Sequence, residues 1–87
     1  MRPKPQNIVG AQVSRLRYQR ELTQEALAAK CNVLGWDLSR GALAKIESGI
    51  RCVTDAELFV LAKALKSELR ELYPKDERLI MSAAGAA

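Results

Sequence analysis

An all-α domain of five helices is what this sequence predicts, and three observations carry the prediction. Aromatic residues are only 5% of a chain that is 48% hydrophobic. Its core must therefore be built from Leu, Ala, Val and Ile, a set that suits packed helices better than a sheet. Apolar residues recur at helical spacing along most of the length. Asn, Thr and Ser stand just ahead of those runs, where helix caps belong. Eighty-seven residues make one small domain, near the lower limit for a self-sufficient core.

The elements follow in order. Residues 1–6, MRPKPQ, carry two prolines and read as an extended, flexible basic arm. Asn7 can cap the first helix, which Val9, Val13 and Leu16 carry to about Glu21. Thr23 can cap the second, a short helix from Gln24 to about Lys30 whose alanines let a neighbour approach closely. Residues 31–38, CNVLGWDL, hold the turn formers Asn32, Gly35 and Asp37 and break the pattern. Ser39 caps the third helix, which runs to Ser48 with Gly49 at the usual stop. Thr54–Asp55–Ala56–Glu57 has the form of a capping box, and Leu58, Leu61, Ala62 and Leu65 continue it as the fourth helix. Residues 67–72 read as a short fifth helix stopped before Pro74, with Leu69 in the core. Residues 74–87 form a tail with no decisive signal, leaving open disorder, a loosely docked helix or a dimerisation segment.

Charge is unevenly spread. The formal net charge is +4, but residues 1–51 hold nine cations and four anions, and residues 52–87 hold five cations and six anions. The basic excess lies entirely in the first part and points to a polyanion met by one face. The chain has no histidine, which removes His-based acid–base chemistry and His metal sites. Cys31 and Cys52 have no second pair, so no zinc spacing exists, and both are expected reduced, as core or boundary hydrophobes. No nucleophile–base pair and no phosphate-cradling glycine loop is visible. The expectation is a cytoplasmic chain that is not an enzyme, has no cofactor and does not enter a membrane.

The third helix carries the functional argument. On a wheel with Arg40 at zero, Ala42, Ile46, Ser39, Ile50 and Leu43 fall between about 200° and 300°. Arg40, Ala44, Ser48, Gly41 and Lys45 fall between about 0° and 140°. The second arc is polar, basic and thin in its middle. A helix lying in a DNA major groove, about 12 Å wide, needs an uncrowded inserted face. Long cations at its rim can reach guanine N7 and O6. Glu47 falls at about 340°, on the border of the core arc, where a lone carboxylate is costly and needs a partner.

Three segments resemble one family. Thr23–Gln24–Glu25–x–Leu27–Ala28, then Leu43 to Gly49 (LAKIESG), then Glu57–x(3)–Leu61–Ala62–x–Ala64–Leu65 resemble the Cro/repressor-type helix-turn-helix proteins, the xenobiotic-response-element class of bacterial regulators. The resemblance covers residues 8–73, within a domain of residues 7–73. It implies a five-helix, lambda-repressor-like DNA-binding domain in which helices 2 and 3 read DNA. It implies phosphate contacts at Gln24, Ser39 and Ser48, base-facing positions at Arg40, Gly41 and Lys45, and a partly buried ion pair between Arg17 and Glu47. Arg51, just past helix 3, is expected to meet a further phosphate.

One departure stands out. The family's tight turn between helices 2 and 3 is enlarged here, with seven residues, Cys31 to Asp37, between Lys30 and Leu38. The hydrophobe Leu38 and the cap Ser39 are kept, so helix 3 is expected to dock normally. Trp36, inside the insert, is expected to pack on the domain. The function expected is a sequence-specific transcriptional regulator, a repressor, binding double-stranded DNA as a homodimer in a bacterial or phage setting. The alternative is an antitoxin or adaptor of the same fold acting mainly through a protein partner.

Overall fold

Side-chain oxygens decide where most of these helices start. The computed structural model describes residues 5–85. Its α-helices are α1 (Gly10–Gln19), α2 (Gln24–Val33), α3 (Arg40–Glu47), α4 (Asp55–Ala64) and α5 (Glu77–Ala83), with a 3₁₀ turn at Leu69–Leu72. The hydroxyls of Thr23, Ser39 and Thr54 accept from the backbone N–H groups of Ala26, Ala42 and Glu57. Each satisfies a donor that the first turn would otherwise leave unpaired. At Thr54 the capping box is complete, since Glu57 accepts from the Thr54 N–H.

Asn7 acts ahead of α1, whose own cap position, Val9, carries no side-chain hydrogen bond. Its Oδ1 accepts from the N–H groups of Val9 and Gly10, at 3.0 and 2.7 Å. Its Nδ2 donates to the carbonyls of Ile46 and Arg51, at 3.0 and 2.7 Å. One amide therefore starts α1 and ties it to the C-terminal end of α3. Beside it, the Gln6 N–H donates to the Gly49 carbonyl at 2.8 Å. Arg2 and Lys4 of the expected arm lie outside the described residues.

Helix α1 packs on α3, and α2 packs on both α3 and α4. The 3₁₀ turn closes the open end against α4 and α1. Val13, Leu27, Cys31, Leu43, Ile46, Leu61, Leu65 and Leu72 are fully buried where these elements meet. Burying a Leu-sized side chain contributes roughly 1.5–3 kcal/mol each.

Five expectations are corrected. Helix α2 runs on to Val33, because Cys31 continues the Leu27–Ala28 core stripe and is wholly buried. Asn32, read as a turn former, instead sends its Nδ2 to the carbonyls of Ala28 and Leu38. The helix ends at Gly35, whose φ of 101° suits glycine, with the Trp36 N–H returning to the Cys31 carbonyl. Residues 67–72 do not form an α-helix. Lys66 reverses the chain at φ 53°, and only the four-residue 3₁₀ turn fits before Pro74. Leu72 takes the core position there, while Leu69, next to the reversal, is exposed. Lastly, Cys52 is exposed on the α3–α4 connection rather than at a core boundary. Both cysteines are free thiols. Burial pushes Cys31 up to about 11, which makes it an inert packing residue.

Candidate nucleic-acid interface

Helix α3 is seated by its apolar side and its one carboxylate. Leu43 and Ile46 are fully buried, and Ala42 packs against the same core. Leu38, just before the cap, is buried as well. Glu47 meets Arg17 of α1 in a two-pronged pair, Nε to Oε2 at 2.8 Å and Nη2 to Oε1 at 3.0 Å. Both side chains are 7% exposed. The remaining prong of Arg17 donates to the Leu22 carbonyl at 2.8 Å, and its guanidinium lies 4.4 Å from the Tyr18 ring centre. The hydrogen bonds that Arg17 donates to Glu47 hold the guanidinium above its ordinary value, against the opposing effect of burial.

With that seating, Arg40, Gly41, Lys45, Ser39 and Ser48 all face solvent. A Cβ added at Gly41 would meet nothing within 4 Å. The glycine therefore relieves no crowding inside the protein; its bareness is on the outer face. Arg40 shares a shallow polar pocket with Tyr18, Thr23, Gln24 and Glu25, so it stands beside the start of α2.

The polar residues differ in what they have left to offer. Gln24 donates one Nε2 hydrogen to Glu47 Oε1 at 3.1 Å. An amide carries two such hydrogens, so one stays available. The Ser39 oxygen accepts from Ala42 and keeps its own O–H to donate. Ser48 is different, because its hydroxyl already donates to the Lys45 carbonyl at 3.1 Å. Arg51 is half-buried and folded back on α4. Nη1 and Nη2 reach Glu57 Oε1 and Oε2, both at 3.1 Å, and Nη1 also donates to the Cys52 carbonyl at 2.8 Å.

Residue spacing alone signals neither the Arg51–Glu57 pair nor the clamp made by Asn7, since both join segments that only folding brings together. Tyr18, 68% exposed beside Arg40, was also not singled out by its sequence position.

The Arg51–Glu57 pair has a measurable pH signature. The Arg51 hydrogen bonds, more than any other contact, hold the Glu57 carboxyl below its usual value. A carboxylate depressed in the folded state adds stability that is complete above its unfolded value and is lost as pH falls through the folded one. Glu57→Gln keeps the capping geometry but removes the charge. Its melting temperature should fall below that of the parent near pH 7, and the gap should close as pH falls through and below the ordinary glutamate range. A gap that stays constant from pH 7 to pH 3 would remove the ion pair as its cause.

Helix α2, a connection and an α3 with its outer face bare define a helix-turn-helix unit. The chain belongs to the HTH_3 helix-turn-helix family, whose sequence model matches residues 13–72. Among solved structures it is similar to the restriction-modification controller protein C.AhdI from Aeromonas hydrophila. That likeness has 34% identity and a TM-score of 0.67, covering 75% of this chain and 91% of that one. It is also similar to an HTH_3 family transcriptional regulator from Vibrio cholerae, at 27% identity and a TM-score of 0.70. Here 88% of this chain covers 40% of a longer one. No curated protein sequence matches. Among the described residues no helix is long and apolar enough to cross a membrane.

Proposed function

We propose that this chain is a sequence-specific transcriptional regulator that inserts α3 into the major groove of double-stranded DNA and represses by occupying its site. The observation that carries the reading is the outer face of α3. Arg40 and Lys45 stand in solvent on either side of Gly41, and no ion pair among the described residues engages them. Arg40 and Lys45 read base edges, and Gly41 gives clearance. Gln24 and Ser39 hold adjacent phosphates through their remaining donors, and Ser48 joins them once it releases Lys45. Arg51 supplies positive potential near the end of α3. The likeness to a controller protein and to a transcriptional regulator supports the same reading.

One such module reads few base pairs, so the working form is a homodimer on two half-sites about one helical turn apart. Helix α5 supports that form. It buries no residue of its own, and Leu79 and Met81 are exposed. The regulator acts in the cytoplasm of a bacterium or under phage control.

Selection of bound duplexes from a random pool tests the proposal, since it reports both sequence preference and half-site symmetry. On the selected site, log affinity should fall with log salt at about −0.9 per phosphate contact. Arg40→Ala should lower discrimination between the selected site and a one-base variant by about 1–3 kcal/mol. Gln24→Ala should weaken all duplexes alike. No enrichment from the pool, or a flat salt response, sinks the proposal.

A further inference from the structure

We infer that Trp36 and Arg51 form a bracket across the two ends of α3 that sets the tilt of this helix, taking over the job of the tight turn that the insert displaced. The inference rests on the reading of α3 as the DNA-contacting helix. Trp36 precedes the helix and Arg51 follows it. The guanidinium of Arg51 lies 6.0 Å from the Trp36 ring centre. That is the outer limit of a cation–π contact, so the pairing matters as a spacer and a stop more than as an energy source.

Each half of the bracket is anchored to other elements. The indole of Trp36 is half-buried and packed against the core. Its backbone is pinned on both sides, with its N–H donating to the Cys31 carbonyl at 3.0 Å and its carbonyl accepting from Leu38 at 2.8 Å. Asn32 Nδ2 holds the Leu38 carbonyl at 2.9 Å, immediately before the Ser39 cap. At the other end, the Arg51 carbonyl is held by Asn7 of the α1 start, and its guanidinium by Glu57 of α4. A residue fixed at both backbone and fork has little freedom to follow a phosphate. A planar fork that pairs two-pronged with Glu57 beside the Trp36 ring is also a job lysine cannot do. Trp36 and Arg51 are therefore positioning residues, acting on base readout through Arg40 and Lys45.

Trp36→Leu, Trp36→Phe and Arg51→Lys test this. In the free protein, backbone amide shifts should change along Arg40–Glu47 in Trp36→Leu and Arg51→Lys, and return toward the parent in Trp36→Phe. Changes confined to residues 33–39 and 51–57 would overturn the bracket. On DNA, Trp36→Leu and Arg51→Lys should reduce the ratio of selected-site to random-duplex affinity by about tenfold, the scale of one base contact. The slope of log affinity against log salt should not move, because neither change removes a charge. A lower melting temperature with an unchanged affinity ratio would overturn the inference, leaving Trp36 a packing residue. If Trp36→Leu fails to fold, Arg51→Lys carries the decision. A parent protein that binds no duplex at low salt ends the regulator reading itself, and the amide shifts still decide whether the bracket sets α3.

Discussion

Glu47→Ala should remove about 3–5 kcal/mol of stability, because it leaves a buried cation without its partner. Domains of this size have roughly 5–15 kcal/mol in total, so the variant should sit near its unfolding midpoint in modest urea. The reason lies in what Arg17 cannot do. A buried carboxylate or lysine can neutralise itself by shifting its pKa, but a guanidinium stays charged at any pH the fold survives. Without Glu47, Arg17 keeps only the Leu22 carbonyl and the Tyr18 ring, and Gln24 loses its acceptor too. Arg17→Ala should also destabilise, by leaving the Glu47 carboxylate at the core edge with Gln24 alone. The double variant Arg17→Ala with Glu47→Ala should cost less than the two single changes together, since removing both charges leaves none stranded. Urea titration of the four proteins gives the coupling directly. A loss below about 1 kcal/mol in Glu47→Ala would mean that the pair is solvated in solution like a surface bridge.

The need of Glu47 for a partner was legible in the sequence, while Arg17 as that partner came only with the family resemblance, and it is instructive why other features gave no signal. Glu47 stands at the edge of the apolar arc of its helix, and an edge carboxylate demands a partner. The outer face of α3 could be read the same way, because Arg40, Gly41, Ala44 and Lys45 share one arc whatever the tertiary packing. Starts of helices were legible at Thr23, Ser39 and Thr54, where a short polar side chain reaches its own first turn. Ends were harder. Helix α3 stops at Gly49, with φ 82°, as its sequence announces. Helices α1 and α4 are followed by Glu21 and Lys66 at φ 55° and 53°, a left-handed conformation taken by residues that do not advertise it. Asn32 misled for a related reason. Its amide can end a helix by bonding locally, but here it bonds back to Ala28 and across to Leu38, so α2 continues. The bracket of Trp36, Arg51 and Glu57 joins three segments through side chains alone. No periodicity encodes that meeting.

Two glycines should respond to alanine with opposite signs, and the larger effect is at Gly10. Helix propensity alone favours alanine at either site by up to about 1 kcal/mol. At Gly10 packing should reverse that. A Cβ there would be driven into the Ile46 carbonyl oxygen and would lie 2.9 Å from the Glu47 carbonyl oxygen. Both are backbone atoms at the end of α3, and the first is already held by Asn7. Neither can swing aside as a side chain would, so α1 has to back away from α3. Gly10→Ala should therefore lose about 1–3 kcal/mol of stability, the range for overpacking in a core. The retreat would also stretch the Arg17–Glu47 pair, which lies in the same α1–α3 contact, so base discrimination should fall with stability. At Gly41 nothing opposes propensity, since an added Cβ meets open space. Gly41→Ala should melt higher than the parent and yet bind the selected duplex more weakly, because the added methyl occupies the clearance that the groove requires. Denaturation and duplex titration on the two variants separate the roles: a Gly10→Ala protein more stable than the parent would refute the close crossing of α1 and α3, and a Gly41→Ala protein with undiminished affinity would show that α3 does not enter the groove by this face.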